Sequence, residues 1–246
     1  MQLAPTSCIF FTEKPKSKMK RIFIILVLCS LQGLAFAQWD VGIHGGLNST
    51  SITRSHTDRI DETYSSLCSY DFGIEGRYSV NTWLAVRADL DIMQRNHRLQ
   101  RHLNYISPVY TDHRNTYLAL PVMADFSFGG QRLRGHFLLG GFCGYWLGQR
   151  VKGTTYGMTD YDVYFIDFDK PRPFTREERR FDAGLACGMA ISYGLTSCLA
   201  LHLDALLYYD LVSHHVGYNH LQDYRYLNTG SLTLGISYQF NKKEQQ

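Results

Sequence analysis

Eight stretches of the chain alternate between apolar residues and small or polar ones, with a repeat of two. The last of them reads TLGISYQF. Leu234, Ile236, Tyr238 and Phe240 are apolar, while Thr233, Gly235, Ser237 and Gln239 are small or polar. Such alternation predicts a strand with one dry face and one wet face. The same phase runs through Trp39, Val41, Ile43 and Leu47, through Tyr70, Phe72, Ile74, Tyr78 and Val80, and through Leu84, Val86, Ala88, Leu90 and Ile92. It continues in Leu118, Leu120, Val122 and Phe126, in Phe137, Leu139, Cys143, Tyr145 and Leu147, and in Phe181, Leu185, Cys187, Met189 and Ile191. Leu199, Leu201, Leu203, Ala205, Leu207, Tyr209 and Leu211 complete the set.

Each stretch is about 9–13 residues long, enough for a tilted strand to cross a bilayer. Strands of soluble proteins are typically about 5–6 residues. The connections fall into two classes that alternate along the chain. Residues 80–82, 129–133 and 194–197 are short turns, whereas 49–68, 96–114, 149–177 and 212–226 are long, polar and rich in Tyr. Short turns at one end, long loops at the other and an even strand count are the marks of an outer-membrane barrel. The expected fold is therefore all-β, an eight-stranded antiparallel up-and-down transmembrane β-barrel over residues 38–240. Residues 241–246 form a short polar tail on the periplasmic side.

The wet face carries charge. Asp71, Glu75 and Arg77 share the phase of the second strand, and Arg87, Asp89 and Asp91 that of the third. Asp125, Asp182, His202, Asp204 and Asp210 follow in later strands. An eight-stranded barrel is filled by its own side chains, so these groups must pair inside it. A turn centred on Asn81 would set Glu75 directly opposite Arg87. A slip by two would set Glu75 against Asp89 and Arg77 against Arg87, and opposed like charges destabilise a sheet. The expected lumen pair is thus Glu75 with Arg87.

The first 37 residues read as a secretory leader. Lys20 and Arg21 precede an apolar run over residues 22–31, and Ala35-Phe36-Ala37 offers small residues before a cut at Gln38. Met19 is a candidate start. Cys29 raises a lipoprotein reading, which Leu28 disfavours because a small residue is wanted there. Removing the leader leaves 20 basic and 21 acidic residues, so the apparent basicity vanishes and nothing points to nucleic acid. The four remaining cysteines, Cys68, Cys143, Cys187 and Cys198, show no metal-ligand spacing.

Several motifs taken together resemble the PorT-type outer-membrane β-barrel family of the Bacteroidota. They are Gly45-Gly46-Leu47-Asn48, the Tyr117-Leu-Ala-Leu-Pro-Val122 strand, Phe181-Asp-Ala-Gly-Leu-Ala-Cys-Gly188 and the C-terminal strand. The resemblance covers residues 38–240. It departs from the family at Ala119, where a Glu is usual, and at a missing later Lys of that strand, so no role resting on those groups carries over. The resemblance implies a Gram-negative cell-envelope protein, with a member of the family belonging to a secretion apparatus. By the same resemblance Thr233, Gly235, Tyr238 and Phe240 form a terminal signal for the barrel-assembly machinery. Phe240→Ala should then reduce membrane assembly more than Gln245→Ala.

Candidate chemistry is sparse. Ser213, His214 and His215 with nearby Asp210 offer a nucleophile, a base and an orienter for a lipid-modifying enzyme. A polar strand end running into a solvated loop is the favoured reading of the same residues. His214, His215 and His220, or Asp160, Asp162, Asp167 and Asp169, could approach a metal, but they lack a recognised ligand pattern. No metal and no cofactor are expected. The second long loop is basic, and Arg95, Arg98, Arg101 and Arg114 are candidate contacts to lipopolysaccharide phosphate. The expected role is a non-enzymatic one, in surface interaction or in secretion or assembly, with envelope proteins as possible partners. A narrow, porin-like channel or small-solute transporter and a lipid-modifying enzyme are the alternatives.

Overall fold

The computed structural model describes residues 38–54, 62–103, 106–130, 132–159, 162–176, 178–214 and 225–240. Eleven strands lie among them: β1 (Gln38–Arg54), β2 (Glu62–Ser66), β3 (Cys68–Ser79), β4 (Leu84–Gln94), β5 (His97–Leu103), β6 (Ile106–Gly129), β7 (Leu133–Met158), β8 (Val163–Pro171), β9 (Phe181–Gly194), β10 (Leu199–Asp210) and β11 (Arg225–Phe240). Eight of them close a ring in the order β1-β3-β4-β6-β7-β9-β10-β11, every neighbour antiparallel. The first and last strands seal it, with Trp39 opposite Phe240 and Arg54 opposite Arg225. Closure leaves no ring strand with an unpaired edge, the condition for crossing lipid.

The eight alternating stretches are the eight ring strands. Their dry faces point outward: Ile43, Phe72, Ile92, Leu139, Leu185, Leu207 and Leu234 are all exposed. The charged phase points inward and is buried, including Asp89, Asp91, Asp182 and Asp204. An apolar outside around a polar inside is the inverse of a soluble barrel, and its outer belt faces lipid. All four cysteines of the barrel are free thiols.

Three tight turns close one end. Val80 and Asn81 both donate N–H to the Leu84 carbonyl, Gly130 donates to Leu133, and Leu195 donates to Leu199. Gly129 enters its turn at φ +113°, a conformation that a side chain would strain. The first of these turns is wider than one centred on Asn81. It pairs Ser79 with Ala85, which places Glu75 opposite Asp89 and Arg77 opposite Arg87. The expected register is therefore wrong, and the like charges do stand across from each other on the ladder.

At the other end the strands outrun the bilayer. β6 has 24 residues and β7 has 26, against the roughly 9–11 that a tilted crossing needs. Above the belt β6 pairs with β5, β5 with β2, and β7 with β8. The long loops thus contain strands β2, β5 and β8, which lie outside the eight alternating stretches. The result is a five-stranded blade, β2-β5-β6-β7-β8, rising from the barrel rim.

Candidate functional site

The barrel interior is built in layers. Near the turns, Arg77 Nε lies 3.0 Å from Asp125, whose other contact is His136 Nδ1 at 2.9 Å. His136 Nε2 reaches the Ser192 hydroxyl at 2.8 Å, so one cluster ties β3, β6, β7 and β9 together.

The middle layer centres on Arg87. Its guanidinium lies 3.0 Å from Glu75, 3.0 Å from Asp89 and 2.7 Å from Asp204. Asp204 is on β10, the strand opposite β4 in the ring, so this bridge spans the lumen. His202 stands between Glu75 (2.9 Å) and Asp204 (3.2 Å), and His44 contacts Asp91 at 3.0 Å. The unfavourable register is relieved here. Arginine is long enough to reach two positions along a neighbouring strand, so Arg87 leans to Glu75 while Arg77 turns away to Asp125. The ladder opposes like charges, but the side-chain tips meet opposite ones.

The charged side chains of this layer fill space that neighbouring strands leave empty. A Cβ on Gly73 would collide with Asp91 and His44, and one on Gly235 would collide with His202 and His44. Gly235, read as part of an assembly signal, also has this packing reason. Thr233 is buried beside it, whereas Tyr238 and Phe240 point outward and touch edge to face with centroids 4.9 Å apart.

The third layer lies toward the blade and centres on Arg95, just past the end of β4. Arg95 Nη1 binds Asp182 at 2.7 Å and Asp210 at 3.0 Å. His214 Nε2 lies 2.9 Å from Asp210 and 3.7 Å from Asp182. Around these charges the wall is apolar. The Arg95 guanidinium sits 5.2 Å from the Tyr117 ring, 5.1 Å from Phe142 and 6.0 Å from Tyr208, within cation–π range. Trp146 stacks on Tyr117, and Phe174 packs edge-on against Trp146 at 5.0 Å. The segment carrying Phe174 also accepts from Gln149 Nε2 at the Pro173 carbonyl and Glu178, which holds it against this aromatic cluster.

Two sets of side chains bring ligand atoms within 4.8 Å of one another, Glu75 with His202 and Asp204, and Asp182 with Asp210 and His214. In each an arginine already supplies the cation, Arg87 in the first and Arg95 in the second. Of the loop residues considered for metal, only His214 belongs to either set, and Asp160, His215 and His220 lie outside the described residues. His214 is absorbed in the buried Arg95 cluster, and Ser213 Oγ accepts the Arg225 N–H at 3.2 Å. Among the described residues, this corner presents no serine beside a solvent-facing base.

The four arginines expected at lipopolysaccharide are dispersed. Arg95 is fully buried inside the barrel and cannot meet lipid phosphate, which corrects the expectation for that residue. Its phase gave it away: it follows Arg87, Asp89, Asp91 and Met93 on the inward face. Arg98 grips Asp112 through two contacts of 2.6 and 3.0 Å, which hold its guanidinium pKa above the ordinary value. Arg101 pairs with Glu62 at 3.1 Å. Only Arg114 is exposed with no hydrogen-bonded or ion-paired carboxylate among the described residues.

The family-model comparison agrees with this architecture. A family model described as outer membrane protein beta-barrel domain matches residues 35–214. Among solved structures, OprG from Pseudomonas aeruginosa is 14% identical with a TM-score of 0.46, over 82% of this chain and 96% of that one. Neisserial surface protein A is 16% identical with a TM-score of 0.45, over 82% and 97%. Outer membrane protein W of E. coli is 12% identical with a TM-score of 0.40, over 82% and 97%. No curated protein matches the chain in sequence.

Proposed function

The chain belongs to the outer-membrane protein β-barrel family and resides in the outer membrane, and we propose that it is a non-enzymatic surface-interaction protein rather than a channel. The observation that carries this reading is the blade. Its outer strand β8 presents Val163, Tyr164, Phe165 and Ile166, all exposed, on an edge with no further strand among the described residues. An exposed apolar edge offers a row of backbone donors and acceptors to an incoming strand. Asp167, Asp169 and Lys170 at its far end make indiscriminate pairing less favourable. The interior supports the same reading from the other side. Arg87 on β4 and Arg95 just past it both reach β10 across the lumen, and Phe174 packs on the Trp146 ring above them, so among the described residues the axis is crossed by two ion-pair layers. The PorT-type resemblance adds a partner class, namely proteins of an envelope secretion or assembly apparatus.

Photo-cross-linking in intact outer membranes tests this. A cross-linker in place of Phe165 should give a discrete protein adduct, and one in place of lipid-facing Leu207 should not. The adduct should disappear when Tyr164 and Ile166 are changed to Asp. Equal labelling at both positions, together with single-channel currents in planar bilayers, would instead assign the chain to solute passage.

A further inference from the structure

A cleft of about 580 Å³ opens on the outer surface where the barrel becomes the blade. Its walls come from β3, β4, β6 and β7, and it is lined by Tyr70, Gln94, Asp112, Arg114, Gly148 and Arg150 among others. A β-bulge forms it. The β6–β7 register shifts between Thr116 and Tyr117, so Leu147 has no partner and Gly148 faces Thr116. Above the bulge, Arg114 on β6 stands directly opposite Arg150 on β7, both exposed. Opposed like charges destabilise a ladder, and an anion between them relieves this.

The surrounding carboxylates do not cancel this charge. Asp112 is held by Arg98, and Asp169 accepts from Arg150 Nε at 2.6 Å. Lys152, opposite Asp169, adds a further cation. Arg98, Arg114, Arg150 and Lys152 thus outweigh Asp112 and Asp169 by two charges. Arg114, Arg150 and Lys152 all act on Asp169, and its exposed carboxyl is held below the usual carboxylate range by the Arg150 hydrogen bond first and by the Arg150 and Lys152 charges after it. The space in front of Gly148 is open, since a Cβ there would meet no atom within 4 Å. Immediately below lie the outward Phe72, Ile92 and Leu120 of the lipid belt, with Tyr70 and Tyr145 at its upper edge.

We propose that this cleft binds the phosphate of an outer-leaflet lipid, with Arg114 and Arg150 as its ligands and the acyl chains laid over Phe72, Ile92 and Leu120. Guanidinium groups on both sides of one phosphate can each give charge-assisted, bidentate hydrogen bonds. Gln94, whose Nε2 donates to Tyr70 at 2.9 Å, fixes the floor. The position at the top of the belt selects a phosphate that carries its own apolar anchor over a free one. This site is independent of the β8 edge, so either reading can fail without the other.

The test uses the full mature chain purified in detergent, with three probes: bisphosphorylated lipid A, the same lipid without phosphates, and inorganic phosphate. Native mass spectrometry reads lipid retention, and thermal unfolding reads the shift in Tm. Phosphorylated lipid should be retained and should raise Tm, and the other two probes should do neither at equal concentration. Arg114→Gln with Arg150→Gln should weaken retention about tenfold for each arginine removed, and Arg114→Lys with Arg150→Lys should recover part of it. Arg101→Gln, whose guanidinium is held by Glu62 elsewhere on the blade, should behave as the parent. Retention unchanged in the double glutamine variant would overturn the proposal, as would equal binding of the dephosphorylated lipid. Displacement of the lipid by equimolar inorganic phosphate would overturn the lipid source and leave a free-phosphate site. Should the glutamine variant fail to fold, the dephosphorylated lipid on the parent chain decides alone.

Discussion

Arg87 in β4 and Arg95 just beyond it point into the same lumen, and both reach the opposite strand β10, yet their surroundings differ in kind. Arg87 is ringed by Glu75, Asp89 and Asp204, with His202 completing a polar layer. Arg95 holds two carboxylates on one side and lies against Tyr117, Phe142 and Tyr208 on the others. A buried cation can be stabilised by surplus anions or by fewer anions and aromatic faces. The two designs predict different responses to loss of the charge. Arg87→Met would strand three carboxylates around one imidazole, with no apolar cup to receive the thioether. Breaking a buried network from one side costs about 3–5 kcal/mol, and this variant belongs at the upper end. Urea unfolding in lipid vesicles, followed by tryptophan fluorescence, measures it.

Arg95→Met strands only two carboxylates, and the methionine enters an aromatic cup that suits sulfur. Its cost should lie near about 3 kcal/mol. The comparison sharpens when the anions are removed as well. Arg95→Met with Asp182→Asn and Asp210→Asn should return most of the lost stability, because replacing a whole buried ion cluster by less polar groups is often neutral. The equivalent repair at Arg87 needs Glu75, Asp89 and Asp204 changed together and should recover less, since His202 loses both of its carboxylates and no aromatic wall packs the methionine. Equal recovery at both sites would show that the aromatic wall contributes nothing.

Smaller again is the effect of filling the space behind the polar layer. Gly235→Ala would press a methyl group against His202 and His44 in the strand that seals the barrel. Overpacking of this sort costs about 1–3 kcal/mol. The folded, heat-modifiable fraction on a gel reads it. Gly230→Ala on the same strand meets only Leu207 at 3.5 Å and should be close to neutral.

The difference between the two layers also marks what the chain disclosed in advance. Period-two alternation exposed all eight ring strands, because one side of each meets lipid and the other meets charge. The same logic would have placed Arg95 inside, had the phase of β4 been carried two residues past Met93 instead of stopping where the loop charge begins. Register was hidden for a different reason. Opposing charges on a ladder assumes short side chains that meet their direct neighbours, whereas Arg87 satisfies Glu75 along a diagonal. The blade strands β2 and β8 escaped because neither face is buried: β8 alternates nothing, with Tyr164, Phe165 and Ile166 all exposed. The cleft at Arg114 and Arg150 depends on a bulge at Leu147 and on residues 36 positions apart, which no local pattern reports.

The smallest expected effect belongs to the blade and contrasts with both buried layers. His113 on β6 pairs across the ladder with His97, and the rings stack at 4.8 Å. Burial lowers its pKa to about 4 from 6.5, and the Arg172 and Arg225 charges act in the same direction, against weaker pulls from Asp112 and Glu178. A histidine whose folded pKa is depressed binds fewer protons folded than unfolded. Its contribution is therefore fully present above pH 6.5 and is lost as pH falls from 6.5 toward 4. The ring is only partly buried and the blade is solvated, so the loss is discounted to about 1 kcal/mol of local opening. Hydrogen exchange of the β5 and β6 amides should quicken across that window, while the β4 and β10 amides around Arg87 and Arg95 stay protected. His113→Gln should flatten the dependence. Exchange that quickens equally in barrel and blade would place the pH response in the lumen histidines instead.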